Sequence, residues 1–400
     1  MKVWNHQEET PTNRQTQPAL SPCSNRSTHT GTIETDVVVI GGGPAGSVAA
    51  LELSREGYSV AIIERSDYKN MRIGETLPPS IRRLLTDLGL WDSFVLESHS
   101  ASGGICSVWG HSDVRENDFI VNPYGPGWHV DRSRFDRMLA RAAEKEGAVL
   151  CQGARLTSLE KDSKKNWKVE INQEAGRKEI DAKFLVDSSG RASMASRRQG
   201  AERISWDHLV GIVGFFSPST SNKIGSTHTL VEAVEDGWWY SAVLPDLCVI
   251  VAYMTDADLC PNVSKTSAYF LTRLKEALHT QSRIKSCSLR AGPRVYAANS
   301  CRMSTITSGN WLATGEAAIA FDPLSAQGIV KAIESGIHAA HAIRGYWSSD
   351  SHALNRYATA ISEDFKRYLR MRHAYYSREM RWSHSTFWSR RRSTPSLLET

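Results

Sequence analysis

A glycine-rich turn between two short apolar runs constrains this chain more than any other feature. Asp36–Ile40 (DVVVI) is dense in β-branched residues and predicts a strand; GGGPAG follows it, and Ser47–Glu56 then carries an apolar helical face. Ser59–Glu64 (SVAIIE) predicts a second strand. Because strand, helix and strand joined in this way form a right-handed crossover, the two strands are predicted to be parallel.

The glycines of this turn fit the GxGxxG pattern of a dinucleotide-binding site. Gly41 allows a tight turn, Gly43 lets the backbone approach a pyrophosphate, and Gly46 lets the helix pack closely on the strand. Glu64 lies 23 residues after Gly41, at the end of the second strand, where a carboxylate accepts hydrogen bonds from an adenosine ribose. The spacing predicts a bound dinucleotide and leaves FAD and NAD open. A glycine turn that serves packing alone is the alternative.

The composition of the 400 residues excludes several classes of protein. There is no run of about 18 apolar residues and no apolar stretch of the signal-peptide kind near the start, so we expect neither a membrane-spanning nor a secreted chain. The seven cysteines are odd in number and never spaced as CxxC, which argues against a disulfide framework and a structural zinc site. We predict a cytoplasmic protein with reduced thiols and no metal site.

The net charge of +5 is unevenly distributed along the chain. Residues 366–392 hold nine Lys and Arg against one acid, so this segment carries +8 and the other 373 residues carry −3. A solvated Arg-rich helix explains such a segment, and no nucleic-acid-binding module accompanies it, so we predict no nucleic-acid partner. We expect its aromatic residues to pack on the body of the chain and leave open whether its arginines bind an acidic partner polypeptide. These aromatics are Tyr375, Tyr376, Trp382, Phe387 and Trp388.

The hydrophobic pattern divides the chain into four regions. Residues 1–32 are polar and without periodicity, and we expect them to be disordered. A Rossmann-like α/β domain is predicted over 33–205 and 290–345, and it includes part of the substrate lobe. An inserted antiparallel substrate-binding sheet over 206–289 and a C-terminal helical extension over 346–400 complete the architecture. Further predicted elements are helices over Arg132–Glu146 and Gly328–Tyr346 and a strand over Gly309–Thr314.

Three later segments carry a resemblance to known flavoproteins. They are RIGETLPP (72–79), FLVDSSGRAS (184–193) and ATGEAAIAFDPLSAQG (313–328). Together with the glycine turn they resemble the FAD enzymes of the aromatic hydroxylase, flavin halogenase and geranylgeranyl reductase type. The resemblance spans most of residues 36–345, and it implies FAD as the cofactor and a glutathione-reductase-type FAD-binding fold.

The resemblance also implies which residues contact FAD. A helix starting near Ser325 is expected to point its N-terminus at the flavin pyrimidine oxygen and stabilise negative charge on the reduced flavin. Glu316 stands where relatives usually carry Asp, and its alternative role is to cap a helix. Ser189 also departs from the hydroxylase pattern, and Asp187 and Arg191 either hold cofactor or brace a turn. The predicted FAD contacts are Gly41, Gly43, Ala45, Gly46, Glu64, Arg65, Arg72, Gly74, Arg132, Asp187, Glu316, Pro323 and Gly328.

Two features separate the chain from the flavin halogenases. Those enzymes place a lysine near the flavin within a few tens of residues after the GE segment, whereas no lysine occurs here between Lys69 and Lys145. Their Trp-x-Trp-x-Ile-Pro pattern is also missing, and the most similar stretch of sequence is GWHVDR (127–132). The resemblance therefore favours hydroxylation over halogenation.

A narrower resemblance comes from residues 107–139 and from YYSREMRWSHSTFWSRRR (375–392). These segments resemble the flavoprotein monooxygenases that mature quinone-cofactor enzymes by oxidising a tryptophan side chain of a partner protein to a tryptophylquinone. The resemblance implies reduction of FAD by NADH or NADPH, formation of a flavin C4a-hydroperoxide, and hydroxylation of an indole in a partner polypeptide. Three alternatives stay open: a hydroxylase or halogenase of a small aromatic compound, a geranylgeranyl-reductase-like saturase, and a flavin-bearing assembly factor without catalysis.

The implied reaction benefits from a general base, because the oxidised indole carbon loses a proton. His129 is the first candidate, since imidazole titrates near neutral pH, and a structural histidine is the alternative. Glu75 is the second candidate, and its alternative role is to fix the loop over the flavin. Four tryptophans either line an aromatic pocket or pack in the core: Trp109, Trp128, Trp238 and Trp239.

Overall fold

The computed structural model describes residues 32–219, 226–260 and 266–393. The segment 1–32, which was expected to be disordered, lies outside the described residues except for Thr32. The strands are β1 (Thr32–Ile40), β2 (Val60–Glu64), β3 (Thr76–Leu77), β4 (Ser100–Ser102), β5 (Gly104–Val108), β6 (Arg115–Asp118), β7 (Gly127–His129), β8 (Val149–Gln152), β9 (Arg155–Lys161), β10 (Trp167–Gln173), β11 (Gly176–Asp187), β12 (Arg203–Ser205), β13 (Leu209–Pro218), β14 (Thr229–Val234), β15 (Gly237–Val243), β16 (Val249–Asp256), β17 (Cys287–Leu289), β18 (Arg294–Ala297), β19 (Cys301–Met303), β20 (Trp311–Ala313) and β21 (Ile319–Ala320). The helices are α1 (Pro44–Arg55), α2 (Ile81–Asp87), α3 (Trp91–Leu96), α4 (Arg132–Lys145), α5 (Met194–Arg198), α6 (Thr266–Leu274), α7 (Leu278–Arg283), α8 (Gly328–Trp347), α9 (Ala353–Tyr376) and α10 (Thr386–Arg392).

A seven-stranded mixed sheet forms the first layer. Its strand order is β8-β2-β1-β11-β10-β9, with β20 also paired to β11. The predicted parallel pairing of β1 with β2 is confirmed, with Val37 opposite Val60. Strand β1 starts four residues before the predicted Asp36, because Thr32–Thr35 already pair with β11. Helix α1 starts at Pro44, ahead of the predicted Ser47, because proline is well suited to the first turn of a helix.

An eight-stranded sheet forms the second layer. Its order is β17-β13-β16-β15-β14-β5-β6, with β18 paired to β13, and every pair except β14 with β5 is antiparallel. The predicted antiparallel sheet is therefore present, and it draws three strands (β5, β6 and β18) from outside residues 206–289. Helices α6 and α7 cover one face, where Phe270, Leu274 and Ile284 join the core.

Helices α1 and α8 pack against each other on the mixed sheet and approach closely at one glycine. A Cβ on Gly336 of α8 would lie 2.4 Å from the carbonyl oxygen of Ala45, so only glycine fits there. This contact holds the first turn of α1, which was predicted to bind FAD, against the middle of α8.

The C-terminal extension folds back onto the body of the chain. Tyr376, Phe387 and Trp388 are 0% exposed and join the second core cluster with Trp238, which confirms the expected packing for these aromatics. Tyr375 is 50% exposed, so the expectation is wrong for that residue, because consecutive residues of a helix face different directions. In the described part of the chain, no helix is both long enough and apolar enough to cross a membrane.

Most arginines near the end of the extension have partners within the chain. Arg391, 4% exposed, lies 2.6 Å from Oδ1 of Asp256, and Arg390 pairs with Asp256 and Asp258 at 3.0 and 2.7 Å. Arg392 donates to backbone carbonyls of the extension itself. These three guanidinium groups therefore brace the fold.

Candidate FAD and substrate site

The glycine turn has the shape that a pyrophosphate needs. Gly41 has φ +110°, and a Cβ there would lie 2.3 Å from the carbonyl oxygen of Ser188, whereas a Cβ on Gly46 would lie 2.1 Å from the carbonyl oxygen of Gly41. Gly43 caps α1 and faces open space, because nothing lies within 4 Å of a Cβ added to it. Two glycines thus permit close packing, and the third leaves an opening at the start of a helix, where N–H groups can bind phosphate oxygens.

Ala45, also predicted to contact FAD, is 6% exposed and lies against α8. A Cβ on Gly315 would approach its methyl group at 2.7 Å, so the α1 turn is packed against the 313–328 segment as well. The contacts of Ala45 in the structure are therefore packing contacts, and its predicted cofactor contact stays a prediction.

Glu64 ends β2 beside the glycine turn and is 6% exposed. Its Oε2 accepts a hydrogen bond from the backbone N–H of Gly42 at 2.8 Å, and its Oε1 accepts from Ser66 N at 2.9 Å and from Arg72 at 3.0 Å. These contacts place a carboxylate at the position predicted for the ribose. Arg65, the next residue, is exposed, and its predicted cofactor contact stays a prediction.

Arg72 and Arg132 share a buried carboxylate that the sequence analysis missed. Asp136 of α4 is 0% exposed and lies 2.7 Å from Arg72 and 3.0 Å from Arg132. Arg132 also donates to the carbonyl oxygens of Ile73 and Gly74, at 2.8 and 3.2 Å. The two arginines therefore hold the 72–75 loop. Arg132 and Asp136 are four residues apart in a predicted helix, and this spacing could have indicated the ion pair from the sequence.

Glu75 is buried, 3% exposed, and faces the eight-stranded sheet. The hydroxyl of Tyr240, on β15, donates to its Oε1 at 2.5 Å and also lies 2.5 Å from Oγ1 of Thr76, and Gly74 N–H donates to its Oε2 at 2.8 Å. Burial raises the pKa of Glu75 above its ordinary value, although these hydrogen bonds oppose the shift. The side chain is thus a buried acid held in one orientation, and Tyr240 is a second residue that the sequence analysis missed.

His129 lies on β7 and is 1% exposed, with both ring nitrogens engaged. Nδ1 is 3.0 Å from the carbonyl oxygen of Val243, so it carries the proton, and Nε2 then accepts from the hydroxyl of Thr229 at 2.9 Å. Burial lowers the pKa of His129 to about 4, so the ring is neutral at pH 7. These contacts match the alternative in which His129 is a structural histidine. A role as base would require one of them to break, and it stays a prediction.

The FLVDSSGRAS segment forms a braced turn. Asp187 is 0% exposed and accepts hydrogen bonds from the backbone N–H groups of Ser189 and Ser196, at 3.0 and 2.7 Å. Arg191 lies 3.2 Å from Glu316 and donates to the carbonyl oxygen of Phe321 at 3.1 Å. The bracing alternative for Asp187 and Arg191 thus fits these contacts, and Glu316 is paired with Arg191 instead of capping a helix.

A single helical turn precedes α8. Asp322 caps this turn, Pro323–Ser325, by accepting from Leu324 N–H at 2.9 Å, and α8 itself begins at Gly328. The helix start predicted at Gly328 is confirmed, and the start expected near Ser325 is three residues too early, because a 3₁₀ turn and a left-handed Ala326 with φ +49° intervene. No side chain caps the N-terminus of α8, so its first N–H groups can bind a ligand oxygen.

One face of the eight-stranded sheet meets both FAD segments. Nine partly buried apolar side chains pack on this face. Six of them, called the substrate face here, are Ile73, Phe215, Val231, Tyr240, Tyr296 and Leu324; the other three are Trp109, Leu259 and Trp382. Ile73 comes from the RIGETLPP segment and Leu324 from the 313–328 segment, so two segments predicted to contact FAD are packed against the sheet. Such a face suits a flat aromatic substrate.

The four tryptophans considered for an aromatic pocket separate into different places. Trp109 and Trp238 belong to the cluster on the substrate-face side, with ring centroids 6.3 Å apart. Trp239 stacks on Tyr253 on the opposite face of the sheet, and Trp128 lies against Phe94 in the FAD-binding layer. The pocket alternative therefore remains for the partly exposed Trp109, whereas the other three pack in the interior, with Trp238 and Trp239 at 1% and 0% exposure.

The residues present fit FAD. The open side of Gly43, the uncapped start of α8 and the carboxylate of Glu64 supply contacts for pyrophosphate, flavin and ribose. No group of three or more His, Cys, Asp or Glu side chains among the described residues is arranged to hold a metal ion. Fold and site together define an FAD-dependent oxidoreductase. Residues 34–360 match the FAD binding domain family, and the chain belongs to it.

Two curated relatives illustrate the range of the family. The putative FAD-dependent oxidoreductase LodB of Marinomonas mediterranea is 32% identical over 372 residues, which cover 90% of this chain and 98% of the relative. The 1H-pyrrole-2-carbonyl-(peptidyl-carrier protein) brominase of Pseudoalteromonas luteoviolacea is 26% identical over 323 residues, which cover 77% of each chain. By its family model and its 32% identity to LodB, the chain belongs to the FAD-dependent oxidoreductases.

Solved structures confirm the predicted fold class. The myxobacterial chondrochloren halogenase CndH superposes with a TM-score of 0.81 at 23% identity, over 91% of this chain and 87% of that chain. The peptidyl tryptophan dihydroxylase QhpG, essential for tryptophylquinone cofactor biogenesis, superposes with a TM-score of 0.76 at 22% identity, over 90% and 79%. At these identities the likeness concerns the fold.

Proposed function

We propose that the chain is an FAD-dependent monooxygenase that hydroxylates an electron-rich aromatic ring, and that its substrate is a tryptophan side chain of a partner polypeptide. The observation that carries the proposal is the buried Glu75, held by Tyr240 between the FAD-binding loop and the substrate face. The resemblance in residues 107–139 and 375–392 supports the choice of substrate. The function of QhpG, a protein of the same fold, also supports it.

The chemistry needs an electrophilic oxygen and a base. Reduced FAD supplies the oxygen from dioxygen when it is bound. The attacked ring carbon then bears both the new oxygen and a hydrogen, and the aromatic ring is restored when that proton leaves. Glu75 accepts the proton, because its burial raises its pKa towards the range in which a carboxylate is an effective base. Tyr240 holds the accepting carboxylate in place through its 2.5 Å hydrogen bond.

The proposal includes NADH or NADPH as the reductant. A separate flavin reductase that delivers reduced flavin is the alternative, and the bracing role of Asp187 leaves that carboxylate without a contact for a nicotinamide cofactor. Consumption of NADH or NADPH by the purified holoenzyme in the presence of substrate distinguishes the two. Steady oxidation without added reductase supports the direct route.

Halogenation is a second candidate, and the curated relatives favour it, since they include the brominase and a tryptophan 2-halogenase from Chondromyces crocatus. This chain covers 61% of the length of the latter, with 25% identity. Against it, no lysine lies between Lys69 and Lys145, the stretch in which the halogenases place the lysine near their flavin. This difference favours hydroxylation over halogenation.

The experiment incubates the reconstituted enzyme with reductant, bromide, free tryptophan and a panel of tryptophan-containing peptides, followed by mass spectrometry. We expect a peptide to gain the mass of oxygen at tryptophan. Gain of bromine in place of hydrogen identifies a halogenase, and oxidation of free tryptophan alone identifies an enzyme acting on small aromatics. If the protein binds a peptide but neither the peptides nor free tryptophan change in mass, the non-catalytic assembly factor is supported. Binding of an isoprenoid supports the saturase.

The Gly43→Asp variant is the matched control, because it is expected to fold but not to bind FAD. Gly43 has extended backbone dihedrals (φ −78°, ψ −176°) and open space around its Cβ, and aspartate is a favourable residue at a helix N-cap. The variant is therefore expected to fold, while its carboxylate repels the pyrophosphate. Oxygen gain that persists in this variant would show that the oxidation does not come from bound FAD.

A further inference from the structure

Helix α9 reaches the turn that precedes α8 with three side chains spaced one helical turn apart. They are Tyr368, Arg372 and Tyr376, and all three contact Asp322. The hydroxyl of Tyr376 donates to Oδ2 of Asp322 at 2.7 Å, Arg372 Nε lies 3.2 Å from the same oxygen, and the hydroxyl of Tyr368 accepts from the Asp322 N–H at 2.7 Å. Asp322 is 1% exposed, so these contacts replace water around a buried carboxylate.

The same hydroxyl of Tyr376 is also bonded to the substrate sheet. Trp238 Nε1 donates to it at 2.9 Å, and Trp238 lies two residues before Tyr240 on the same face of β15. Tyr376 thus accepts from the sheet and donates to Asp322. Both ring systems are buried, at 0% and 1% exposure, so the geometry of this relay is fixed by packing.

We propose that Tyr376 is a positioning residue for the flavin: through Asp322 it fixes the turn Pro323–Ser325 and the start of α8, and through Trp238 it joins them to the substrate sheet. The C-terminal extension is thereby a part of the FAD site, although none of its residues belongs to the predicted FAD contacts. The inference rests on FAD binding and is independent of whether the enzyme hydroxylates or halogenates.

The physical reason is the burial of Asp322, which is 1% exposed. A buried carboxylate that loses a hydrogen-bond donor has no water to replace it, so the turn must shift to find one. That turn carries Pro323 and leads into Gly328, two of the three predicted FAD contacts of the 313–328 segment. A shift there moves the positive end of α8 relative to the flavin and changes both its affinity and its electronic environment.

The test compares Tyr376→Phe with wild type and two controls. Tyr375→Phe removes the neighbouring, half-exposed hydroxyl, and Tyr253→Phe removes a buried hydroxyl that donates to the carbonyl oxygen of Asp236, on the far face of the sheet. Each apoprotein is titrated with FAD, and the visible absorption spectrum of the bound flavin is recorded. We expect Tyr376→Phe to weaken FAD binding about tenfold, the loss typical of a hydrogen bond to a charged group, and to shift the flavin spectrum. Both controls should retain wild-type affinity and spectrum.

Wild-type affinity and spectrum in Tyr376→Phe would overturn the inference. An equal loss of FAD affinity in Tyr253→Phe would also overturn it, because the loss would then come from a general decrease in stability. If Tyr376→Phe proves unfolded by circular dichroism, Tyr368→Phe replaces it. This variant removes the hydrogen bond to the Asp322 backbone and one to Ser300, and it leaves both contacts of the Asp322 carboxylate with Arg372 and Tyr376 in place. Weaker FAD binding in that variant supports the inference, and wild-type binding overturns it. Failure of the wild-type protein to bind FAD would instead contradict the proposed function.

Discussion

The hydroxyl of Tyr240 lies 2.5 Å from Oε1 of Glu75, and this hydrogen bond joins the substrate sheet to the loop that borders the flavin. The two residues are 165 positions apart in the sequence and come from different layers of the fold. Burial raises the pKa of both groups, so the pair is a protonated tyrosine donating to a carboxyl group whose ionisation is unfavourable. This relationship underlies the first two predictions.

Glu75→Gln is expected to lower the rate of product formation roughly 100-fold or more, the usual contribution of a general base, because an amide cannot accept the ring proton. The variant keeps the size of the side chain and an acceptor for Tyr240, so FAD binding should be unchanged. Single-turnover product yield and FAD titration, run on the same preparation, check this. Unchanged product formation would remove Glu75 from the mechanism.

Tyr240→Phe is expected to move the acid limb of the pH–rate profile to higher pH. The hydrogen bond from Tyr240 favours the ionised form of Glu75, so its loss raises the pKa of Glu75 further, by about one unit if the bond contributes ~1.4 kcal/mol. Because the base must be ionised, the rate then falls at a higher pH than in wild type. A limb that stays in place, or moves to lower pH, contradicts the assignment.

His129→Asn is expected to leave the acid limb unchanged. Burial lowers the pKa of His129 to about 4, so the ring is already neutral across the range in which Glu75 titrates. Loss of its contacts with Thr229 and Val243 should instead lower the free energy of unfolding by about 1–3 kcal/mol. Loss of the limb, with the fold intact, would restore His129 as the base.

Asp136→Ala is expected to destabilise the protein by about 2–3 kcal/mol, because it leaves Arg72 and Arg132 without their shared buried carboxylate. Glu144→Ala, on the same helix, breaks an exposed pair with Arg141 and should cost no more than about 0.5 kcal/mol. Urea unfolding of the two variants and wild type measures the difference. Similar losses in both variants would contradict the role of Asp136.

Local sequence patterns predicted the local elements well. The apolar runs and the GxGxxG spacing led to β1, α1 and β2, and the period of Arg132–Glu146 led to α4. The turn before α8 was missed, because the contacts that stabilise it come from α9, more than forty residues later in the chain.

The candidate site was predictable only in part for the same reason. The FAD segments are continuous in the sequence and can be found by their glycines. The sequence does not reveal the roles of three residues, Tyr240, Asp136 and Tyr376, because their partners are distant in the sequence or are one of several possible neighbours on a helix. No pattern in a single sequence distinguishes a tyrosine that bonds a buried carboxylate from one that fills a core. His129 was preferred as the base on its ordinary pKa, which burial changes.

The most direct test of the proposed reaction follows the source of the inserted atom. The enzyme, FAD and NADH or NADPH are incubated with a tryptophan-containing peptide and bromide under heavy-isotope oxygen gas, and the peptide is sequenced by mass spectrometry. We predict that heavy oxygen appears on the tryptophan and that Gly43→Asp abolishes it. Bromine on the ring, or oxygen derived from water, would contradict the monooxygenase account.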